Sequence, residues 1–432
     1  EEDSITFLVV DPYDLDQLAF LVRKTWKLKA EFRFVRRTFL ERMLSKAQSM
    51  EEEDEDTAVD VDDENTLRTM AGEARIVRLV NDIFTQAIEL GASDIHIEPG
   101  EDHVAVRCRV DGVLTEIISC PLNQFPAIAS RIKLLGGLNI AESRLPQDGR
   151  TNVQLGRTEL DMRISTIPIL TGESIVLRLL NQDAITFDLK TLGMSPEHLA
   201  QFRRPHGMIL VVGPTGSGKT TTLYSVISQL NDNRKKIITV EDPVEYKMPG
   251  LCQMQVNAKI GVTFANGLRS IVRQDPDIIL VGEIRDRETA DIAINAALTG
   301  HLVLSTLHTN DAVGAVTRLL DMGVENFLVS SALYGVLSQR LVRKICTACH
   351  GGGTDAQGVK CRRCNGSGFK GRSGIFELLF LDDDLRMAVN RNASSSELEE
   401  IAVKHGMVTL QQDGAAKVAA GITTAEELNR ST

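Results

Sequence analysis

The run GPTGSGKT at 213–220 sets glycines, a lysine and a threonine at the spacing G-x-x-x-x-G-K-[ST]. Glycines let backbone amides close around a phosphate chain, and a following helix N-terminus adds positive potential. Lys219 would reach the β- and γ-phosphates, and the Thr220 hydroxyl would ligate Mg²⁺. Gly213, Pro214, Thr215, Gly216, Ser217, Gly218, Lys219, Thr220 and Thr221 are therefore the candidate nucleotide cradle.

Three further stretches carry groups that would act beside a phosphate. DIILVGEIRD (277–286) reads as a core strand ending near Glu283, with Gly282 where many P-loop enzymes place an Asp. Glu283 is expected to act on Mg²⁺ directly or through a water. ITVEDPVEY (238–246) ends another strand with Glu241, Asp242 and Glu245. A carboxylate there can polarise an attacking water, and Glu245 is the preferred candidate. GHLVLSTLHTND (300–311) carries His301 and His308, and a histidine at a strand end can sense a γ-phosphate. A lone histidine is more often structural, and a strand-end carboxylate is often just solvated.

A different chemistry follows. Cys346, Cys349, Cys361 and Cys364 form C-x2-C-x11-C-x2-C, two knuckles that suit tetrahedral Zn²⁺. Four protein ligands leave no open position, so such a site is structural. Cys108, Cys120 and Cys252 are scattered, a pattern that fits a reducing compartment better than a disulfide framework. Lys344, Arg362, Arg363, Lys370 and Arg372 make the segment basic, suiting an acidic partner, an anionic membrane surface or a solvated face.

These groups need elements to hold them. Residues 1–49 read as a small α/β piece, with strands at 5–10 and 31–35 and helices at 11–27 and 38–48. Ten of the residues from 51 to 64 are acidic, which predicts a flexible linker. A helix over 67–90 precedes a hairpin, with strands 103–110 and 113–118 joined by Asp111-Gly112. A helix near 124–136 and strands near 160–167 and 174–180 follow. From Gly207, short apolar strands (207–212, 236–240, 277–282, 301–306) alternate with helices, which implies a parallel sheet covered on both faces. The tail beyond about 380 reads as helical.

Composition narrows the function classes. The chain has 432 residues and a formal net charge of −11, with 59 acidic against 48 basic residues. That balance, with aromatic residues at 4%, argues against gripping a nucleic-acid backbone or stacking bases. No apolar run approaches the roughly 18 residues of a membrane-spanning helix. No secretory signal pattern opens the chain, and its start at Glu1 rather than Met suggests processing or truncation.

Taken in order, the cradle, EDPVE (241–245), GEIRD (282–286) and TGHLVLSTLHTND (299–311) resemble the four signatures of one family, the secretion ATPases of type II secretion and type IV pilus assembly. GASDIHIEP (91–99), RVDGVL (109–114) and LPQDGR (145–150) resemble its second N-terminal domain. GRSGIFELL (371–379) and GMVTLQQDGAAKVAAGITTAEE (406–427) resemble its tail. The resemblance covers roughly 67–432.

It implies an α/β chain with a RecA-like P-loop ATPase core, a PAS-like N-terminal domain, a four-cysteine zinc module and a helical C-terminal tail. The expected boundaries are 1–50 for a partial N-terminal α/β domain, 51–66 for the acidic linker and 67–188 for the PAS-like domain. They continue with 189–340 for the ATPase core, 341–375 for the cysteine module and 376–432 for the tail. Arg163 (DMRIST) and Arg178 (IVLRLL) match the family's arginines that reach the γ-phosphate; Arg269, Arg273 and Arg285 lie in or near the nucleotide motifs. The cofactors implied are ATP, Mg²⁺ and Zn²⁺. The four-cysteine module resembles that of assembly and secretion members, with a shortened loop.

The partners implied are five further copies in a homo-hexameric ring, the cytoplasmic domain of an inner-membrane secretion protein, and an inner-membrane platform protein. Nucleic acid is not among them. The location implied is cytoplasmic, peripheral to the inner membrane. Type II secretion leads over pilus assembly because 1–49 looks like the end of the secretion members' first domain. A nucleic-acid translocase and a non-catalytic nucleotide-binding adaptor are the competing readings.

Overall fold

The computed structural model describes residues 4–9, 29–34, 64–155, 158–181, 192–194, 202, 204–354 and 358–432. It divides into two units, Glu1–Thr66 and Leu67–Thr432. In the first, β1 (Ser4–Val9) and β2 (Lys29–Phe34) pair in parallel, from Ser4 opposite Lys29 to Val9 opposite Phe34. They fall on the two strands expected there. The helices expected at 11–27 and 38–48, and the linker up to residue 63, lie outside the described residues.

Helices α1 (Glu64–Gly72) and α2 (Ala74–Leu90) replace the single helix expected over 67–90. Gly72 is a poor helix former, and Glu73 turns extended at φ −57° and ψ 132°. On α2, Ile76, Val80, Ile83, Phe84 and Ala87 recur every three or four residues and make one buried stripe.

That stripe and helix α3 (Phe125–Gly136) pack on an antiparallel sheet of order β5-β4-β3-β8-β7-β6. Its strands are β3 (Ala92–Pro99), β4 (His103–Val110), β5 (Val113–Pro121), β6 (Gln147–Leu155), β7 (Thr158–Ile169) and β8 (Gly172–Asn181). Asp111 and Gly112 have φ of 49° and 86°, the paired positive values of a tight hairpin turn. Strand alternation splits the sheet chemically: Val104, Val106, Cys108, Met162, Ile164, Ile175 and Leu177 face the helices. The intervening residues, Arg109, Arg163 and Arg178 among them, face away. Strand β6 was not foreseen.

The second sheet has the order β11-β10-β12-β13-β9-β14-β15. Strands β9 (Gly207–Val212), β10 (Ile237–Glu241), β12 (Ile278–Val281) and β13 (Leu302–Leu307) are parallel, as their apolar runs predict, and a half-exposed edge strand that was not foreseen, β11 (Leu251–Gln255), pairs in parallel with β10. On β9, Met208, Leu210 and Val212 join the core under α5 (Phe264–Ile271), α6 (Arg287–Leu298) and α7 (Ala312–Asp321). Ile209 and Val211 join the opposite core under α4 (Lys219–Leu230). Both faces are thus covered.

A short helix, α8 (Asn326–Ala332), leads into two long strands that sequence reading missed. β14 (Leu333–Ile345) lies parallel to β9, and β15 (Phe369–Phe380) returns antiparallel to it. The four cysteines sit in the excursion between them. Residues 341–345 and 369–375, expected as part of the metal module, therefore belong to the main sheet. Ser338, Gln339 and Arg340 broke the apolar pattern of β14; they are buried because each is hydrogen-bonded within the fold.

The tail is helical, as expected: α9 (Asp383–Asn390), α10 (Ser395–Lys404), α11 (Leu410–Ala419) and α12 (Ala425–Ser431). Asp382, Ser394, Thr409 and Thr424 cap the four N-termini with side-chain oxygens. Among the described residues, no helix is long and apolar enough to cross a membrane.

Candidate active site

The loop between β9 and α4 opens on a cleft of about 950 Å³, lined by Thr215, Gly216, Gly218, Lys219, Thr220 and Thr221. Gly213, Gly216 and Gly218 have φ of 145°, 79° and 88°, which a residue with a Cβ adopts only under strain. Gly213, Pro214 and Ser217 do not line the cleft; Gly213 and Ser217 are buried and Pro214 is exposed. The Lys219 ammonium donates to the carbonyls of Gly213 at 2.8 Å and Pro214 at 2.9 Å. Burial pushes its pKa down to about 8, with Glu283 pulling the other way.

The carboxylates arrive from the ends of neighbouring strands. Glu283, Glu245, Glu241 and His308 all line the cleft. Arg285 Nη2 donates to Glu283 Oε1 at 2.5 Å, and His308 Nε2 lies 3.7 Å from Glu283 Oε2. Burial and then the Lys219 charge lower the His308 pKa, with Glu283 pulling the other way. Glu241 is buried and accepts hydrogen bonds from Tyr224 Oη and Thr239 Oγ1, both at 2.6 Å. Burial raises its pKa.

Glu245 is half-buried on the loop after β10. Gln253 of the edge strand β11 anchors that loop. Its Nε2 donates to the Tyr246 carbonyl at 2.8 Å, and its Oε1 accepts from the Met248 amide at 2.9 Å. The Tyr246 ring meets Tyr224 edge-on, with centroids 5.3 Å apart.

The antiparallel sheet closes the other side. Arg163 and Arg178 line the same cleft as Lys219. Register places Arg150, Arg163, Arg178, Asp94 and Arg109 in one row across β6, β7, β8, β3 and β4. Most of that row is paired. Arg178 Nε donates to Asp94 Oδ1 at 3.0 Å, and Arg150 Nε donates to Asp161 Oδ1 at 2.8 Å. Arg163 differs: among the described residues, its buried Nη2 finds no hydrogen-bond partner. A buried, unpaired guanidinium nitrogen costs free energy unless an acceptor meets it. Arg163 shares its cleft with the glycine-rich loop and Lys219, a set of donors that fits a polyphosphate. Other expected residues lie elsewhere. His301 Nδ1 contacts the Ala296 carbonyl at 2.9 Å, Arg269 pairs with Glu288, and Arg273 is exposed.

The four cysteines converge at a separate place. Their sulfurs all lie within 4.8 Å of one another, with Cys349 Sγ 3.6 Å from Cys364 Sγ. A tetrahedral thiolate site with bonds near 2.3 Å needs sulfurs about 3.8 Å apart. Matching turns follow the second cysteine of each pair: Gly352 N donates to Cys349 O at 2.9 Å, and Ser367 N to Cys364 O at 3.1 Å. The knuckles touch backbone to backbone, since a Cβ on Gly353 would lie 2.5 Å from Gly366 O and one on Gly368 2.5 Å from Gly351 O. Burial raises the Cys364 pKa, but the Gly368 amide and the neighbouring thiols outweigh it and bring it to about 7. These four residues fit a closed metal site.

Sequence reasoning missed Tyr224, Gln253, Asp111 and Gln339. Tyr224, Gln253 and Gln339 stand in no motif with a recognised spacing, and each acts on groups far away in the chain. Asp111 was read as a turn residue within RVDGVL and given no role at the site, yet it lines the cleft.

The profile of the family described as "Type II/IV secretion system protein" matches residues 69–430. Type II secretion system protein E of Xanthomonas campestris pv. campestris is 51% identical over 399 residues, covering 87% of this chain and 70% of that protein. Type II secretion system ATPase E of Vibrio cholerae serotype O1 is 47% identical over 382 residues, covering 83% of this chain and 76% of that protein. Among solved structures, the pilus retraction motor PilT with bound ADP superposes with a TM-score of 0.58 at 29% identity, covering 81% of this chain and 96% of that one. A cleft lined by the glycine-rich loop and by arginines of the second sheet agrees with this extent of identity: the chain belongs to the Type II/IV secretion system protein family.

Proposed function

We propose that this chain is the cytoplasmic ATPase of a type II secretion machine, converting ATP hydrolysis into assembly of a pseudopilus at the inner membrane. The observation that carries the reading is the shared cleft. Lys219 opens the helix that follows β9 of one sheet, and Arg163 comes from β7 of the other. The loop amides and Lys219 bind the phosphates. Thr220 and Glu283 hold Mg²⁺, which supplies charge neutralisation on the phosphates. Glu245 orients and deprotonates the attacking water. Arg163 and Arg178 neutralise charge that grows on the γ-phosphate in the transition state, and His308 donates a hydrogen bond to it.

Cys346, Cys349, Cys361 and Cys364 hold one structural Zn²⁺. The active form is a homo-hexamer, docked through the N-terminal unit on an inner-membrane partner and facing a platform protein. A bacterium lacking its own copy tests this reading. The wild-type chain restores export of secreted proteins, and Lys219→Ala does not. Export restored by Lys219→Ala would overturn it.

A further inference from the structure

Gln339 is fully buried in β14, beside the end of β9, where Ser338 pairs with Val212. Its side-chain amide spans the phosphate loop. Oε1 accepts a hydrogen bond from Thr222 Oγ1 at 2.7 Å, in the first turn of α4. Nε2 donates to the Ser217 carbonyl at 2.8 Å. A peptide bond is planar and trans, so a carbonyl and the following N–H point opposite ways. Holding the Ser217 carbonyl against Gln339 therefore turns the Gly218 N–H away from β14, toward the cleft that Gly218 lines.

The fixed glycines of the loop pack against the same strand. A Cβ on Gly218 would lie 2.8 Å from Gln339 Nε2, and one on Gly213 would lie 2.5 Å from the Gln339 carbonyl and 3.1 Å from Arg340 Nη1. Arg340 continues the contact. Its Nη2 donates at 2.6 Å to the carbonyl of Asn310, in the segment that carries His308. One dipeptide thus touches both sides of the phosphate site.

We propose that Gln339 is a positioning residue for nucleotide binding: its amide sets the Ser217–Gly218 peptide plane and so aims the Gly218 N–H at the phosphates. The inference rests on the nucleotide reading of the cleft and is independent of what the machine exports. A residue that only packs would lose stability on substitution. A residue that aims a donor loses nucleotide affinity even when stability returns.

The test uses the full chain with ADP as the probe, read by calorimetry, beside kcat and KM for ATP and the thermal midpoint. Gln339→Met keeps length and removes both hydrogen bonds. It weakens ADP binding about tenfold or more and raises KM for ATP, the effect of misaiming one amide at a charged group. Gln339→Glu keeps the acceptor for Thr222, loses the donor to Ser217, and weakens ADP similarly. The pair Thr222→Val with Gln339→Met removes the orphaned hydroxyl, so the midpoint recovers toward wild type while ADP affinity stays low. ADP affinity within about twofold of wild type in both single variants overturns the proposal. So does an affinity that recovers together with stability in the pair. A Lys219→Ala arm separates the layers. If it binds and hydrolyses normally, the nucleotide reading fails and the proposal with it. If it fails while the Gln339 variants stay normal, only the positioning role is wrong.

Discussion

Asp111 Oδ2 accepts a hydrogen bond from the Gly371 amide at 2.8 Å, and Oδ1 of the same carboxylate faces Arg372 Nε at 3.6 Å. The contact joins the β4–β5 hairpin tip to the strand leaving the four-cysteine segment, at the rim of the cleft. Asp111→Ala should raise KM for ATP about tenfold, the worth of one charged hydrogen bond, and move kcat less. Steady-state kinetics and hydrogen exchange across 369–374 check it; an unchanged KM contradicts a part for this rim contact in nucleotide binding.

Glu245→Gln should keep ADP binding and slow hydrolysis about 10²-fold, because an amide cannot accept the proton. Glu283→Gln should instead shift the Mg²⁺ dependence upward. Phosphate release over a Mg²⁺ series separates the two. If Glu245→Gln hydrolyses normally, Glu241 does not inherit the role: it is buried and bonded to Tyr224 and Thr239.

Purified chain should carry one Zn²⁺ under reducing conditions, with sulfurs at about 2.3 Å. Cys346→Ser should lose the metal and loosen the excursion between β14 and β15, since metal binding supplies its folding energy. The phosphate loop lies between β9 and α4, outside the excursion itself, so basal hydrolysis should fall less than export. Elemental analysis with both assays decides; a metal-free wild type or full export by the variant contradicts the staple.

Glu427 gives a pH dependence with a definite sign. Burial pushes its carboxyl up, but Arg343 and Arg430 outweigh burial and hold it at about 2. The folded value lies below the ordinary 4.5, so the stability it adds is present above about 4.5 and lost as pH falls from there toward 2. Glu427→Gln should lower the melting midpoint by about 4 °C at pH 7. The gap to wild type should narrow by pH 3; a gap constant with pH contradicts the assignment.

The short apolar strands and the Asp111-Gly112 turn were legible because their causes are local: a buried run, and a dipeptide that tolerates positive φ. The phosphate loop was legible because its spacing is itself the mechanism. β14 was not, since Ser338, Gln339 and Arg340 look like a solvent-facing stretch until β9 and the phosphate loop supply their partners. The break at Gly72–Glu73 was missed because the apolar stripe continues on α2 beyond it. That the Arg163 Nη2 finds no partner among the described residues while Arg178 and Arg150 are paired is a property of the sheet row, invisible along the chain.

The most direct test of a two-sheet active site is phosphate release by full-length Arg163→Ala, with ADP affinity measured on the same sample. Arg163 lies outside the phosphate loop and every strand of its sheet, yet lines its cleft. The account predicts a kcat lower by about 10²-fold or more, with ADP affinity within about threefold of wild type, because the guanidinium serves charge that appears only in the transition state. Arg178→Ala should lose less, since Asp94 already engages that guanidinium. Hydrolysis by Arg163→Ala within about twofold of wild type would contradict a site completed by the antiparallel sheet.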